Sequence, residues 1–201
     1  MAEIVFSERI MQRFVETLST EVGHETFSAA LLNAGLPEEW THSAHFIGLD
    51  KERTAQAYAR LQAALRTYYG RGARGIMLRI GAKLWDHLLD DSAFAVKAQA
   101  VLIRGLPKSL RNKHALELLA RILSVAPENI TVHTLDLDLL LVDRTSPTTL
   151  GQSEDAPICF VTFGLIRACL FWADGQVYDI EERACRATGA RQCEFKVAIG
   201  G

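Results

Sequence analysis

Residues 176–199 read QVYDIEERACRATGARQCEFKVAI, and this stretch decides the fold. Its two ends alternate side chains with a period of two, which predicts strands over Gln176–Glu182 and Glu194–Ile199. Between them Cys185 and Cys193 flank a turn in which Thr188-Gly189 supplies the tight bend. Cys193 shares a strand face with Phe195, Val197 and Ile199, so its thiol points inward. Glu182 shares a face with Ile180 and Tyr178, whereas Glu181 sides with Asp179. A carboxylate and a thiol therefore approach one interior from neighbouring strands, and an unpaired carboxylate there is costly. A divalent metal removes that cost, and Cys159, ahead of the apolar segment that packs on these strands, is the natural fourth ligand. Zinc binds four N, O or S donors tetrahedrally. The set Cys159, Glu182, Cys185 and Cys193 leaves no open position for water or substrate, so such a site is structural. Arg183, Arg186 and Arg191 crowd the same turn and would offset its negative charge. The other reading of these residues is two core cysteines that frame a hairpin, because seven intervening residues is not a common zinc spacing. Cys169 lies on a different helix face and reads as a core thiol.

Working outward, ICFVTFGLIRACLFW at 158–172 predicts a buried helix opened by Pro157. Thr145–Asp155 is polar, contains Pro147 and Gly151, and is expected to be a surface loop. Residues 130–142, ITVHTLDLDLLLV, predict a strand with Leu135, Leu137, Leu139 and Leu141 on one face and Asp136 and Asp138 on the other. The preceding two-thirds are helical in pattern. Ser7 caps an apolar stripe of Ile10, Met11, Phe14, Val15 and Leu18, and 27–32 stops at Asn33-Ala34-Gly35. A long helix runs from Asp50 to Gly70, another starts near Arg74, and two more span 93–103 and 109–123. The expected fold class is α+β, helices packed on a small antiparallel sheet with a C-terminal β-hairpin. It comprises a helical extension over 1–50 and one domain over 51–201.

Composition excludes several function classes. Of 201 residues, 49% are hydrophobic and 23% charged, enough for a sizeable core. Lys+Arg 22 against Asp+Glu 24 gives a net charge of −2, so no overall basic footprint argues for nucleic acid. No apolar run reaches the roughly 18 residues of a membrane span. The first residues lack the basic and apolar regions of a secretory signal, so a cytoplasmic location is expected, where cysteines serve as ligands or core thiols rather than disulfides. Gly70-Arg-Gly72-Ala-Arg-Gly75 matches a dinucleotide fingerprint, but that motif needs a strand before it. Here the helical pattern ARLQAALRTYYG precedes it, so it reads as a helix–helix connection. The six histidines form no metalloprotease pattern, and neither a nucleophile elbow nor a phosphate-binding loop is present.

The pattern Cys159-x-x-x-x-Gly164, then Gly175-x-x-Tyr178-x-Ile180-x-Glu182-x-x-Cys185-x-x-x-Gly189-x-x-x-Cys193-x-Phe195-x-Val197, resembles the 4-vinyl reductase domain family. That family includes a bacteriochlorophyll-biosynthesis protein, archaeal hydrocarbon-binding proteins and the sensing domains of aromatic-responsive activators. It shares its fold with small subunits of the TRAPP tethering complex. The resemblance implies a zinc held by Cys, Glu, Cys and Cys, carried here by Cys159, Glu182, Cys185 and Cys193. It implies a homodimer and a pocket between helices and sheet for a small hydrophobic or aromatic molecule, in a sensor or carrier rather than an enzyme. Phe94, Phe163, Phe171 and Tyr178 are expected to line that pocket. The phenol-sensing branch holds its hydroxyl with a His and a Trp ahead of the first Cys. His114 or His133 is available for the former, but no Trp lies between Trp85 and Cys159. The alternatives are an enzyme or accessory protein of tetrapyrrole metabolism, or a dimeric assembly subunit.

Overall fold

The structure, a computed structural model, describes residues 4–200. Helices α1 (Glu8–Val22), α2 (His24–Asn33), α3 (Lys51–Tyr69), α4 (Ala73–Asp90), α5 (Phe94–Gly105) and α6 (Lys108–Leu123) come first. They are followed by β1 (Ile130–Leu135), β2 (Asp138–Asp143), α7 (Phe160–Asp174), β3 (Asp179–Ala184) and β4 (Cys193–Ala198). All neighbouring strands are antiparallel, in the order β1-β2-β4-β3. This is the α+β architecture that the change of period predicts. The core is continuous from Phe14 of α1 to Phe195 and Val197 of β4, so the first fifty residues contribute to it.

Local chemistry sets the element ends. The Asp50 carboxylate accepts the Arg53 N–H at 2.8 Å and opens α3. Gly70, at φ 51°, closes α3, and one turn of 3-10 helix leads into α4. The glycine motif is therefore a connection between helices, as read from the sequence. Helix α7 runs against α4 at a contact that only glycine allows. A Cβ on Gly81 would sit 2.1 Å from the Val161 carbonyl oxygen, and one on Gly164 would sit 2.3 Å from that of Leu78.

Three expectations need correction. Residues 130–142 are two strands: Asp136 adopts φ 54°, a left-handed conformation that Asp tolerates, and reverses the chain after Leu135. Leu139 and Leu141 consequently enter the core, whereas Leu135 and Leu137 are exposed. Helix α7 starts at Phe160 rather than at Pro157, leaving Cys159 at its N-cap. Finally, the polar segment after β2 is not a surface loop at its start. Thr145, Ser146, Thr148 and Thr149 are buried, and Gln62 of α3 donates to the Thr148 hydroxyl at 3.1 Å. Small hydroxyl side chains can be buried when each finds such a partner.

Candidate metal centre and adjoining cavity

Four side chains from three regions meet at one end of the sheet. Cys159 is placed by the start of α7, Glu182 by β3, Cys185 by the residue after β3, and Cys193 by the first residue of β4. Their ligand atoms all lie within 4.8 Å of one another. The Cys159 sulfur is 3.8 Å from that of Cys185 and 3.6 Å from that of Cys193, too far for a disulfide. Tetrahedral thiolates at about 2.3 Å from zinc stand about 3.8 Å apart, so the spacing fits that ion. Glu182 supplies a second sign of fit. Its Oε2 accepts the Cys159 N–H at 3.3 Å, but its Oε1 is buried with no partner among the described residues.

Electrostatics point the same way. Burial first, then the neighbouring Cys185 charge, push the Glu182 carboxyl up to about 8. Cys185 is drawn far below the ordinary thiol range by hydrogen bonds from the Cys159 and Cys193 thiols, helped by the Ile158 and Ala187 N–H groups. Those thiol contacts and burial raise Cys159 well above it. Cys193 is pulled down by Cys159 but, on balance, is pushed up to about 12 by Cys185 and burial. Without an ion the cluster can thus carry little of the negative charge that its donors are able to supply, and a dication relieves that conflict. The Arg186 N–H also points at the Cys193 sulfur, at 3.4 Å. The Arg186 guanidinium donates to the Arg144 carbonyl, whereas Arg183 and Arg191 do not reach the cluster. Cys169 stands apart, buried in the core and donating to the Ala115 carbonyl.

The buried segment after β2 links this cluster to a cavity. The Ser146 hydroxyl lies 3.6 Å from the Cys159 sulfur, and its neighbours Thr145 and Pro147 line the cavity wall. The cavity measures about 30 Å³, room for about one water. Phe6, Ile10, Tyr58, Leu84 and Leu165 form its apolar sides. Its polar side includes Asp143, whose carboxyl accepts the Thr145 N–H at 2.9 Å and is pushed up to about 6 by burial. Beside it, between α6 and β1, a groove of about 630 Å³ shares Ser124, Val125 and Ile130 with the cavity.

The residues expected to line a ligand pocket are not brought together. Phe94 is 87% exposed and Phe171 55% exposed, on different helices. Phe163 lies under the Arg74 guanidinium. His114 bonds to Glu117 at 2.8 Å, and the Tyr178 hydroxyl donates to Asp174 and meets Asn112. His133 bonds to Thr131. Tyr58, Gln62 and the 145–149 segment escaped the sequence reading. Their one signal is Gln62, a polar residue within the stripe Tyr58, Leu61, Leu65.

Comparison with known proteins agrees with the family resemblance. Residues 144–199, the segment holding the whole cluster, match the model of the 4-vinyl reductase (V-4-R) domain. No curated protein matches the chain. Among solved structures, an H-NOX protein from S. oneidensis in its Fe(II)NO state superposes with a TM-score of 0.56 at 16% identity, covering 97% of this chain and 99% of that one. An unliganded Fe(II) H-NOX protein from K. algicida also gives 0.56, at 13% identity, covering 96% of each chain. The phenol-responsive sensory domain of the transcription activator PoxR gives 0.49 at 15% identity, over 70% of this chain and 73% of that one. The H-NOX likeness establishes that the fold extends over both the helical part and the sheet.

Proposed function

We propose that the protein is a non-enzymatic sensor or carrier of a small hydrophobic or aromatic molecule, braced by a structural zinc on Cys159, Glu182, Cys185 and Cys193. One observation carries this reading: the 145–147 segment touches both the zinc cluster and the cavity. Apolar enclosure with a few polar groups is the usual make-up of a small-molecule site. The cavity holds about one water, so an aromatic ring enters only when its wall at 124–129 yields towards the adjoining groove. A ligand that moves this wall also presses on the segment against Cys159, which gives the zinc hairpin a way to respond. Residues 1–50 take part by supplying Phe6 and Ile10 to the cavity. A homodimer in the cytoplasm belongs to the same reading. Among the described residues no helix is long and apolar enough to cross a membrane.

The haem or iron named for the H-NOX neighbours is not carried over. None of the six histidines lines the cavity, which is far too small for a porphyrin as it stands. The test is a thermal-shift and fluorescence screen of zinc-loaded protein against substituted aromatics, alkanes and tetrapyrroles. A compound bound at about 100 times its Kd raises stability by about 2.7 kcal/mol, a shift of several degrees. Stabilisation that is lost in Leu165→Trp, which fills the cavity, supports the reading. No stabilisation by any apolar compound overturns it.

A further inference from the structure

Helix α5 is apolar on both sides. Its inner face is held by Ala100 and Ile103, which are buried. Its outer face carries Phe94, Val101 and Leu102, which are 87%, 73% and 71% exposed. At 100° per residue Phe94, Ala98, Val101 and Gly105 form one stripe, with Leu102 on one flank and Lys97 and Arg104 on the other. A helix that is hydrophobic all round is ordinarily covered on all sides. From Ala93 to Leu116 the chain holds Lys97, Arg104, Lys108, Arg111 and Lys113 and no acidic residue, although the whole chain is net negative. Arg111 is spent on the Leu106 and Ala173 carbonyls. Lys97, Arg104 and Lys108 are exposed and make no ion pair among the described residues. The acids just before the helix are Asp90 and Asp91, and Asp91 is paired with Arg13.

We propose that the outer face of α5 docks on an anionic lipid surface, with Phe94, Val101 and Leu102 entering the interface and Lys97, Arg104 and Lys108 meeting the headgroup phosphates. Charge decides between occupants. A two-fold pairing of α5 with a second copy would set the Lys97–Arg104 flank against its own image, cation against cation. An anionic bilayer satisfies both parts of the face at once: apolar side chains sink to the acyl boundary while the basic stems reach back to the phosphates. The contact is peripheral and does not need a spanning helix.

The experiment is co-sedimentation of the full-length, zinc-loaded protein with large unilamellar vesicles of phosphatidylcholine alone, or with about three parts in ten of phosphatidylglycerol. Pelleting is expected with the anionic vesicles only, and it should weaken as salt rises from about 0.1 to about 0.5 M. The Lys97→Glu/Arg104→Glu variant and the Phe94→Ala/Leu102→Ala variant should each bind at least about tenfold more weakly. Leu32→Ala, which removes another exposed side chain on α2, should bind as the parent does. These side chains are exposed, so unchanged melting temperatures separate lost docking from lost fold. Equal pelleting with neutral vesicles, no pelleting with either, or binding indifferent to both variants overturns the proposal. A dimer in sedimentation equilibrium that Phe94→Ala/Leu102→Ala dissociates also overturns it, and assigns the face to a second copy.

Discussion

Glu182 is the residue on which the cluster's chemistry turns, because it is half-hidden, carries an oxygen without a partner and is the only oxygen ligand among three sulfurs. Its carboxyl and that of Asp143 lie at about 8 and about 6 in the metal-free fold, against ordinary values of 4.5 and 3.8. Groups whose folded values are raised hold protons that the unfolded chain has already released. Stability of the metal-free protein is therefore expected to fall as pH rises from about 4 to about 8. Zinc needs the deprotonated donors and binds more tightly as pH rises, so with excess zinc the slope should reverse over the same window. Urea melts at several pH values, with and without chelator, check both signs; parallel profiles would contradict the assignment. Glu182→Gln should retain the fold but weaken zinc by at least about tenfold, read by competition with a chromophoric chelator.

Between elements, the crossing of α4 and α7 fixes where Cys159 is presented, because Gly164 sits one turn into the helix that Cys159 caps. Gly164→Ala forces a methyl group to 2.3 Å from the Leu78 carbonyl oxygen and should destabilise the protein by about 1–3 kcal/mol, lowering Tm by several degrees. Gly75→Ala, where a Cβ meets nothing within 4 Å, should not destabilise it. Sequence periodicity exposes elements with a clear stripe, which is why α1, α3, α4 and α6 and the inward phase of Cys193, Phe195 and Val197 could be read in advance. It is blind to features that carry no periodic signal. The reversal at Asp136 sits inside an unbroken alternation, since a two-residue turn does not disturb a period of two. The Gly81/Gly164 contact joins residues far apart in the chain, and the threonines at 145–149 look like any polar loop until Gln62 is seen beside them. The four cluster residues were legible because an inward carboxylate between inward thiols has few stable outcomes. The cavity was not, because Tyr58 and Asp143 acquire their roles only through packing.

Across the whole molecule, the cavity and the cluster sit on opposite sides of one buried segment, so metal and ligand should stabilise each other. Ser146→Ala removes the hydroxyl beside Cys159 without touching the cavity wall, and should leave zinc bound while reducing the extra ligand stabilisation conferred by zinc. Paired thermal melts with metal, ligand, both or neither give that coupling directly. Such coupling requires an ion in the cluster. The most direct test is zinc stoichiometry by elemental analysis and native mass spectrometry on protein purified without added metal or chelator. The parent and Cys169→Ser should carry one zinc per chain, and Cys185→Ser and Cys193→Ser should carry none. Absence of zinc from the parent, or equal loss from all three variants, would contradict the account.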